Sequence, residues 1–189
     1  AIGSSRRNGI CGERIRPHST DFPYHETMRV ALVNTNRIKP PISPIGLEYV
    51  AETLLAAGHE VSILDLCWEE RPEKAIPRFF GAREYGLVGI SIRNTDDCSF
   101  ATRESFLPGC ASIVEAIRNH SGAPIVAGGV GFSVMPEAAM AITGVDAGVV
   151  GDGEFALTAI ADRCGRQAPW EDLPNLVLRR DRSFRRNPV

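Results

Sequence analysis

The chain has no apolar run approaching the ~20 residues that a membrane-spanning helix requires, so no membrane partner is expected. It also lacks any CxxC pair or zinc-like cysteine spacing. Cys11, Cys67, Cys98, Cys110 and Cys164 are odd in number and scattered, which favours a reduced, cytoplasmic protein over a disulfide framework. Its net charge is only −2, too little basic field to draw a phosphate backbone, and nucleic acid is not an expected partner. No Ser/His/Asp or Cys/His constellation is visible, and no metal-ligating set. The four histidines, His18, His25, His59 and His120, fall near the start or at helix–strand corners. With 43% hydrophobic and 23% charged residues the chain is neither disordered nor collagen-like, and 189 residues suffice for one well-cored domain.

Residues 1–27 show neither a signal-peptide apolar core nor a helical or strand period, and read as a disordered leader or sequence upstream of a start at Met28. Arg6, Arg7, Arg14 and Arg16 would suit an organellar presequence, but Glu13 and Asp21 weigh against one.

From Met28 onward, strand-like and helix-like segments alternate. Arg29–Val33 is a first apolar strand, followed by a loop stiffened by Pro40 and Pro41. Ser43-Pro44 reads as an N-cap with proline at the first helical position; the helix turns Leu47, Val50, Ala51, Leu54 and Leu55 inward and stops at Gly58. Strands at Glu60–Asp65, Gly86–Ile92, Ala123–Ala127 and Asp146–Val150 alternate with helices at Glu73–Phe80, 108–120, Pro136–Ile142 and Glu154–Cys164. Five such repeats with continuous apolar strands predict a doubly wound, flavodoxin-like five-stranded parallel sheet covered on both faces. Such sheets bind ligands beyond the carboxyl ends of their strands, so functional residues are expected just after 33, 65, 92, 127 and 150. That domain is expected to span 28–168. The tail, 169–189, reads as one added strand and a basic linker.

The strand ends are distinctive. After the third stand Arg93, Asn94, Thr95, Asp96 and Asp97; the two carboxylates read equally as caps of the following helix, whereas a guanidinium at the mouth of a buried strand needs a partner or a ligand. After the fourth comes Gly128-Gly-Val-Gly-Phe-Ser133, where three glycines let backbone approach a bulky ligand, although a plain turn has the same composition. After the fifth, Gly151-Asp-Gly-Glu154 repeats the theme. Two glycine-rich openings on neighbouring strands point to a slot for a large flat or long ligand.

Four stretches, PPxxPxGLxYxAxxLxxAGHEVxxLD (Pro40–Asp65), GISIRNxDD (Gly89–Asp97), GGxGFSxxPE (Gly128–Glu137) and GVDxGxxGDGE (Gly144–Glu154), occur in an order that resembles the N-terminal cobalamin-binding domain of cobalamin-dependent radical S-adenosylmethionine enzymes. The resemblance runs from Met28 to about Pro188. It implies that Gly128, Gly129, Gly131, Phe132 and Ser133 line a slot for the cofactor's nucleotide tail, that Gly151, Gly153 and Glu154 close its far side, and that Arg93, Asn94, Thr95 and Asp96 lie under or beside the corrin.

Two departures shape the expectation. Cobalamin domains of mutases and methionine synthase carry DxHxxG after the first strand, with the histidine on cobalt; this chain has Asn34-Thr-Asn-Arg-Ile-Lys39. Cobalamin is therefore expected with its own base displaced and no protein histidine on the metal. The CxxxCxxC of a radical iron–sulfur cluster is also missing, so the cluster and S-adenosylmethionine belong to a catalytic domain outside this chain, in the same polypeptide or a separate subunit. The abrupt basic end favours a fragment. The expected role is non-catalytic, presenting methylcobalamin for methyl transfer to an unreactive carbon or phosphorus. The alternatives are a stand-alone Rossmann-like enzyme using a nucleotide or S-adenosylmethionine, disfavoured because no glycine-rich turn follows the first strand, and a response-regulator-like domain, disfavoured because the first-strand acids are absent.

Overall fold

The computed structural model describes residues 26–181 and 183–188; residues 1–25 of the expected leader lie outside them. The elements follow in the order β1 (Arg29–Asn34), α1 (Ile45–Ala56), β2 (Glu60–Asp65), α2 (Pro72–Gly81), β3 (Leu87–Ser91), α3 (Leu107–Arg118), β4 (Ile125–Gly128), α4 (Val130–Val134), α5 (Pro136–Thr143), β5 (Ala147–Val149), α6 (Gly153–Gly165), β6 (Leu176–Arg180) and β7 (Ser183–Arg186). No described helix is long and apolar enough to cross a membrane.

The strands form one sheet in the order β2-β1-β3-β4-β5-β6-β7, the first five parallel and the last two antiparallel. Strand order reverses at β1, so the crevice of a doubly wound sheet opens at the carboxyl ends of β1 and β3. Pleating sends successive residues to opposite faces. Val30 and Leu32 of β1, Leu87 of β3 and Val126 of β4 pack under α1 and α6. Ala31, Val33, Val88, Ile90 and Ala127 pack under α2, α3 and α5. Each face has its own core, and both strips are apolar, which is why the strands read as unbroken hydrophobic runs.

Three details differ from expectation. Ser43 does not cap α1: Pro44 holds the N-cap position and the Ser43 hydroxyl donates to Glu48 Oε1 at 2.5 Å. Leu55 is 57% exposed, because the buried stripe Leu47, Val50, Ala51, Leu54 already spans the i, i+3, i+4, i+7 face and Leu55 stands one step beyond it. The tail supplies a two-stranded hairpin, so the sheet has seven strands where five and one addition were expected.

The hairpin is integral to the sheet and continues it across the boundary expected after residue 168. Leu176, Val177 and Leu178 are buried, Val150 N donates to Asn175 O at 3.0 Å, and Asn175 N donates to Pro188 O at 3.0 Å. Three of its arginines are committed to neighbouring elements. Arg179 donates to Met140 O at 2.6 Å and lies over the Phe184 ring, Arg185 donates to Glu171 O, and Arg186 forks onto both Glu137 oxygens, which holds that carboxyl below its ordinary range. The charge that looks like a linker in the sequence thus fastens the hairpin to α5 and the preceding loop.

Truncation after Ala168 removes three buried aliphatic side chains worth about 1.5–3 kcal/mol each. Urea unfolding of the truncated chain should show a loss of at least ~3 kcal/mol; an unchanged midpoint would mean the hairpin is an accessory to the sheet.

Candidate functional site

The carboxyl edge carries two cavities, one on each face. The first, about 450 Å³, lies between the sheet and α1 and α6. Two residues that point to this face have no side chain; Gly128 leaves its space open, whereas Gly89 lets Leu32 and Leu157 close over β3. Gly89 sits in the middle of β3, where an added Cβ would stand 2.8 Å from Leu32 Cδ2 and 2.9 Å from Leu157 Cδ2; Gly128 ends β4 with only Val149 O within 4.0 Å of where its Cβ would be. Leu47 and Val50 of α1 and Leu157 of α6 form the opposite wall.

Of the residues singled out in the sequence, Gly128, Gly129, Ser133, Gly151, Gly153 and Glu154 line this slot. Gly131 and Phe132 do not, which corrects the expectation for both. Residues 130–134 are a turn of helix rather than an open loop, so residues 131 and 132 face back into the protein. Gly131 lies against the next loop, where a Cβ would be 2.9 Å from Arg93 O. Phe132 is fully buried, with its ring over Gly148, the position on β5 where a Cβ would fall 1.8 Å from Cζ. The same turn brings Val130 and Val134, 74% and 73% exposed, to the slot's rim. Gly129 starts it at φ +98, a conformation that suits glycine, with a hypothetical Cβ 2.9 Å from Ile92 O.

Ser133 ties the two glycine-rich openings together. Its hydroxyl donates to Gly129 O at 3.0 Å and accepts from Gly151 N at 3.0 Å, bridging α4 to the β5–α6 loop. Sequence reading missed Gly89, Ser91, Val130 and Val134 as slot residues. For Gly89 a signal exists, since a glycine inside a strand marks close approach of another element.

The second cavity, about 630 Å³, lies on the other face between α2 and α3. Arg93 and Asn94 line it; Thr95 and Asp96 line neither cavity. Asp96 accepts from Cys98 N at 2.8 Å and from the Thr95 hydroxyl at 3.3 Å. Asp97 accepts from the Thr102 hydroxyl and from Ser99 N at 3.0 Å, contacts that hold its carboxyl below the ordinary range in that order of weight. Both carboxylates therefore close their own loop. No described carboxylate pairs with Arg93, so this guanidinium is open to the cavity. Arg37, Glu73 and Glu104 share the lining, and burial pushes the Cys110 thiol up at the base, where Thr35 is its neighbour at 3.5 Å.

The root of the β1–α1 loop is fixed by buried polar contacts. Asn34 Nδ2 donates to Asp65 Oδ1 at 2.8 Å, Asn34 Oδ1 accepts from Asn36 N at 3.1 Å, and the Thr35 hydroxyl donates to Ser91 O at 2.7 Å. His59 stands at the opposite edge, before β2; its Nδ1 accepts from Met28 N at 3.3 Å and its Nε2 lies 3.2 Å from Asp162 Oδ1. His120 follows α3 and precedes β4, on that same far edge.

A family model described as "B12 binding domain" matches residues 31–161. The chain is 36% identical over 154 residues to the tryptophan 2-C-methyltransferase of Streptomyces laurentii, covering 80% of this chain and 26% of that protein. It superposes with a TM-score of 0.82 and 33% identity on the radical S-adenosylmethionine methyltransferase TsrM from Kitasatospora setae, solved with cobalamin and a [4Fe-4S] cluster bound, covering 86% of this chain and 29% of that one. The cobalamin-dependent radical enzyme OxsB, solved with aqua-cobalamin and S-adenosylmethionine, shares the fold at TM-score 0.70 and 15% identity, over 87% of this chain and 22% of that one. The chain thus spans less than a third of the length of these proteins.

The glycines of the edge make a stability test. Gly131→Ala drives a Cβ to within 2.9 Å of backbone and should cost ~1–3 kcal/mol. Gly46→Ala, in α1 with nothing within 4 Å, should be neutral or stabilise by up to ~1 kcal/mol. Thermal melts of the pair would show opposite shifts; equal shifts would contradict the packing of α4 on the Arg93 loop.

Proposed function

The chain belongs to the B12 binding domain family, and on that premise we propose that it is the cobalamin-holding part of a radical S-adenosylmethionine enzyme of the methyltransferase kind. The slot under α1 and α6 is the observation that carries this reading. Gly128 and Gly129 clear backbone along one wall, and Gly151 and Gly153 clear it along the other, so that a long group can enter between strand ends and helices. A cradle of this kind fits the nucleotide tail of cobalamin.

The tail belongs to the smaller slot rather than to the larger cavity for a physical reason. The larger cavity carries Arg37, Glu73, Arg93 and Glu104, whose charges no described partner neutralises, and burying a base among them would desolvate all four. Those groups fit better beneath the amide-rimmed face of a corrin, with Arg93 and Asn94 lining the larger cavity beyond the end of β3. Thr95 and Asp96 support that edge indirectly, by closing the loop that presents Arg93.

The protein's own work is binding and orientation. Ser133 holds the two sides of the slot at fixed separation, the Asn34–Asp65 contact fixes the loop that overhangs the edge, and aliphatic walls exclude water. When bound in its methylated form, the cofactor would supply a transferable methyl group, whose source would lie in the catalytic domain. The positions where the DxHxxG pattern has Asp and His are Asn34 and Asn36, and Asn36 Oδ1 accepts from Ile38 N at 3.2 Å. Neither position would offer an imidazole to cobalt, and the slot would hold the cofactor's own base, displaced from the metal. The iron–sulfur cluster and S-adenosylmethionine belong to a radical domain of the same polypeptide, in keeping with the greater length of the relatives. The substrate is an unreactive carbon or phosphorus centre presented by that domain; the name of the tryptophan 2-C-methyltransferase relative supports carbon.

Two measurements test the reading. The purified chain, mixed with hydroxocobalamin and desalted, should retain the visible spectrum of the corrinoid, and Gly128→Leu should bind it at least tenfold more weakly with little change in melting temperature, since a Cβ at 128 meets only Val149 O, at 4.0 Å, and the rest of the side chain projects into the slot. A colourless wild-type protein would remove the proposal. In the electron paramagnetic resonance spectrum of the cob(II)alamin complex, no nitrogen superhyperfine splitting should appear; splitting would place a nitrogen ligand on cobalt and overturn the histidine-free assignment.

A further inference from the structure

The walls of the slot are aliphatic wherever they are deep. On the sheet side Leu32, Val126 and Val149 are at most 2% exposed, and on the helix side Leu47, Val50 and Leu157 at most 9%. The backbone N–H and C=O groups behind them are engaged in the β1–β3, β3–β4 and β4–β5 ladders. The polar residues of the lining stand at the ends of elements: Ser91 closes β3, Ser133 lies near the end of α4, and Asp152 and Glu154 flank the start of α6. Of these, Ser133 already uses its hydroxyl both as donor and as acceptor. A ring system that reaches the bottom of the slot finds surfaces for dispersion and almost nothing with which to exchange a hydrogen bond.

Resting on the reading of this slot as the nucleotide-tail site, we infer that it selects among cobamides by the polarity of their lower base. It takes hydrocarbon-edged bases such as benzimidazoles and rejects purines. A benzimidazole presents a benzo edge, with or without methyl groups, to Leu32, Val126 and Leu157. An adenine in the same place presents an exocyclic amine and pyrimidine-ring nitrogens to those same side chains. Each such group loses water on entry and gains no partner from these deep aliphatic walls, a penalty of roughly tenfold or more in affinity per group. The corrin and its amide arms are identical in the two ligands, so the difference falls on the slot alone. The larger cavity on the opposite face, with its four charged residues, has no such preference to impose and does not contribute to the discrimination.

The test is a titration of the 189-residue chain with four corrinoids, followed by visible spectroscopy: cobalamin, the unmethylated benzimidazolyl cobamide, the adeninyl cobamide, and cobinamide, which has no nucleotide tail. Cobalamin and the unmethylated benzimidazolyl form should bind within several-fold of one another, with the adeninyl form weaker by at least tenfold and cobinamide also weaker than cobalamin. An adeninyl cobamide bound as tightly as cobalamin would overturn the inference. So would a loss on removing the two methyl groups as large as that on changing to adenine, because size and not polarity would then govern. Cobinamide bound as tightly as cobalamin would show that the slot is not used, sinking the inference while leaving corrin binding intact. Failure to bind any of the four would remove the cobalamin reading itself.

Discussion

In a pleated sheet each residue serves one face only, and in this protein that constraint decides where a ligand can go. Gly89 and Gly128 both point toward α1 and α6; Leu32 and Leu157 close over Gly89, and Gly128, at the carboxyl edge, leaves its space unfilled. Farther down the same face Leu87, Val126 and Ala147 fill the interface, so the helices rest on a packed base and leave a wedge at the top. The opposite face uses a glycine the other way. Gly148 makes room for the Phe132 ring, which locks the short α4 onto β5. A missing Cβ opens space in one place and admits an aromatic ring in another, and the difference lies in whether a neighbouring element carries a side chain long enough to fill it.

Most of the architecture was legible because its signals are local and redundant. Five apolar runs bounded by Gly58, Pro72, Pro136 and Gly165 leave little choice of element, and the parallel order follows from their alternation with helices. What escaped depends on contacts distant in sequence. The five-residue α4 is too short for a periodicity, and nothing in Val130-Gly-Phe-Ser-Val134 distinguishes residues that face the slot from those that face the core. The hairpin turn at Asp181 has φ +47 at a residue flanked by arginines, a region of sequence that reads as charge rather than as a turn. Arg179, Arg185 and Arg186 look free until the structure supplies Met140 O, Glu171 O and Glu137 from other segments.

The polar end of β3 divides along the same line. Asp96 and Asp97 find partners within a few residues, and their loop is tight enough to hold Cys98 and Arg103 at φ +53 and +49. Arg93, next to them in sequence, shares none of those bonds, and it is left facing a cavity. Sequence proximity made the cluster look like one feature; the backbone divides it into a self-contained loop and one uncommitted cation.

The return strands also set a direction of travel. β5 runs toward the carboxyl edge, β6 away from it and β7 toward it again, so Pro188 finishes beside Asn175 and Val150. Parity does the routing: with one return strand, as the sequence alone suggests, the chain would leave on the far side of the sheet, past His59 and His120. With two, it leaves on the side where the strand ends gather, and a polypeptide continuing from that point would need no long tether to lie across them.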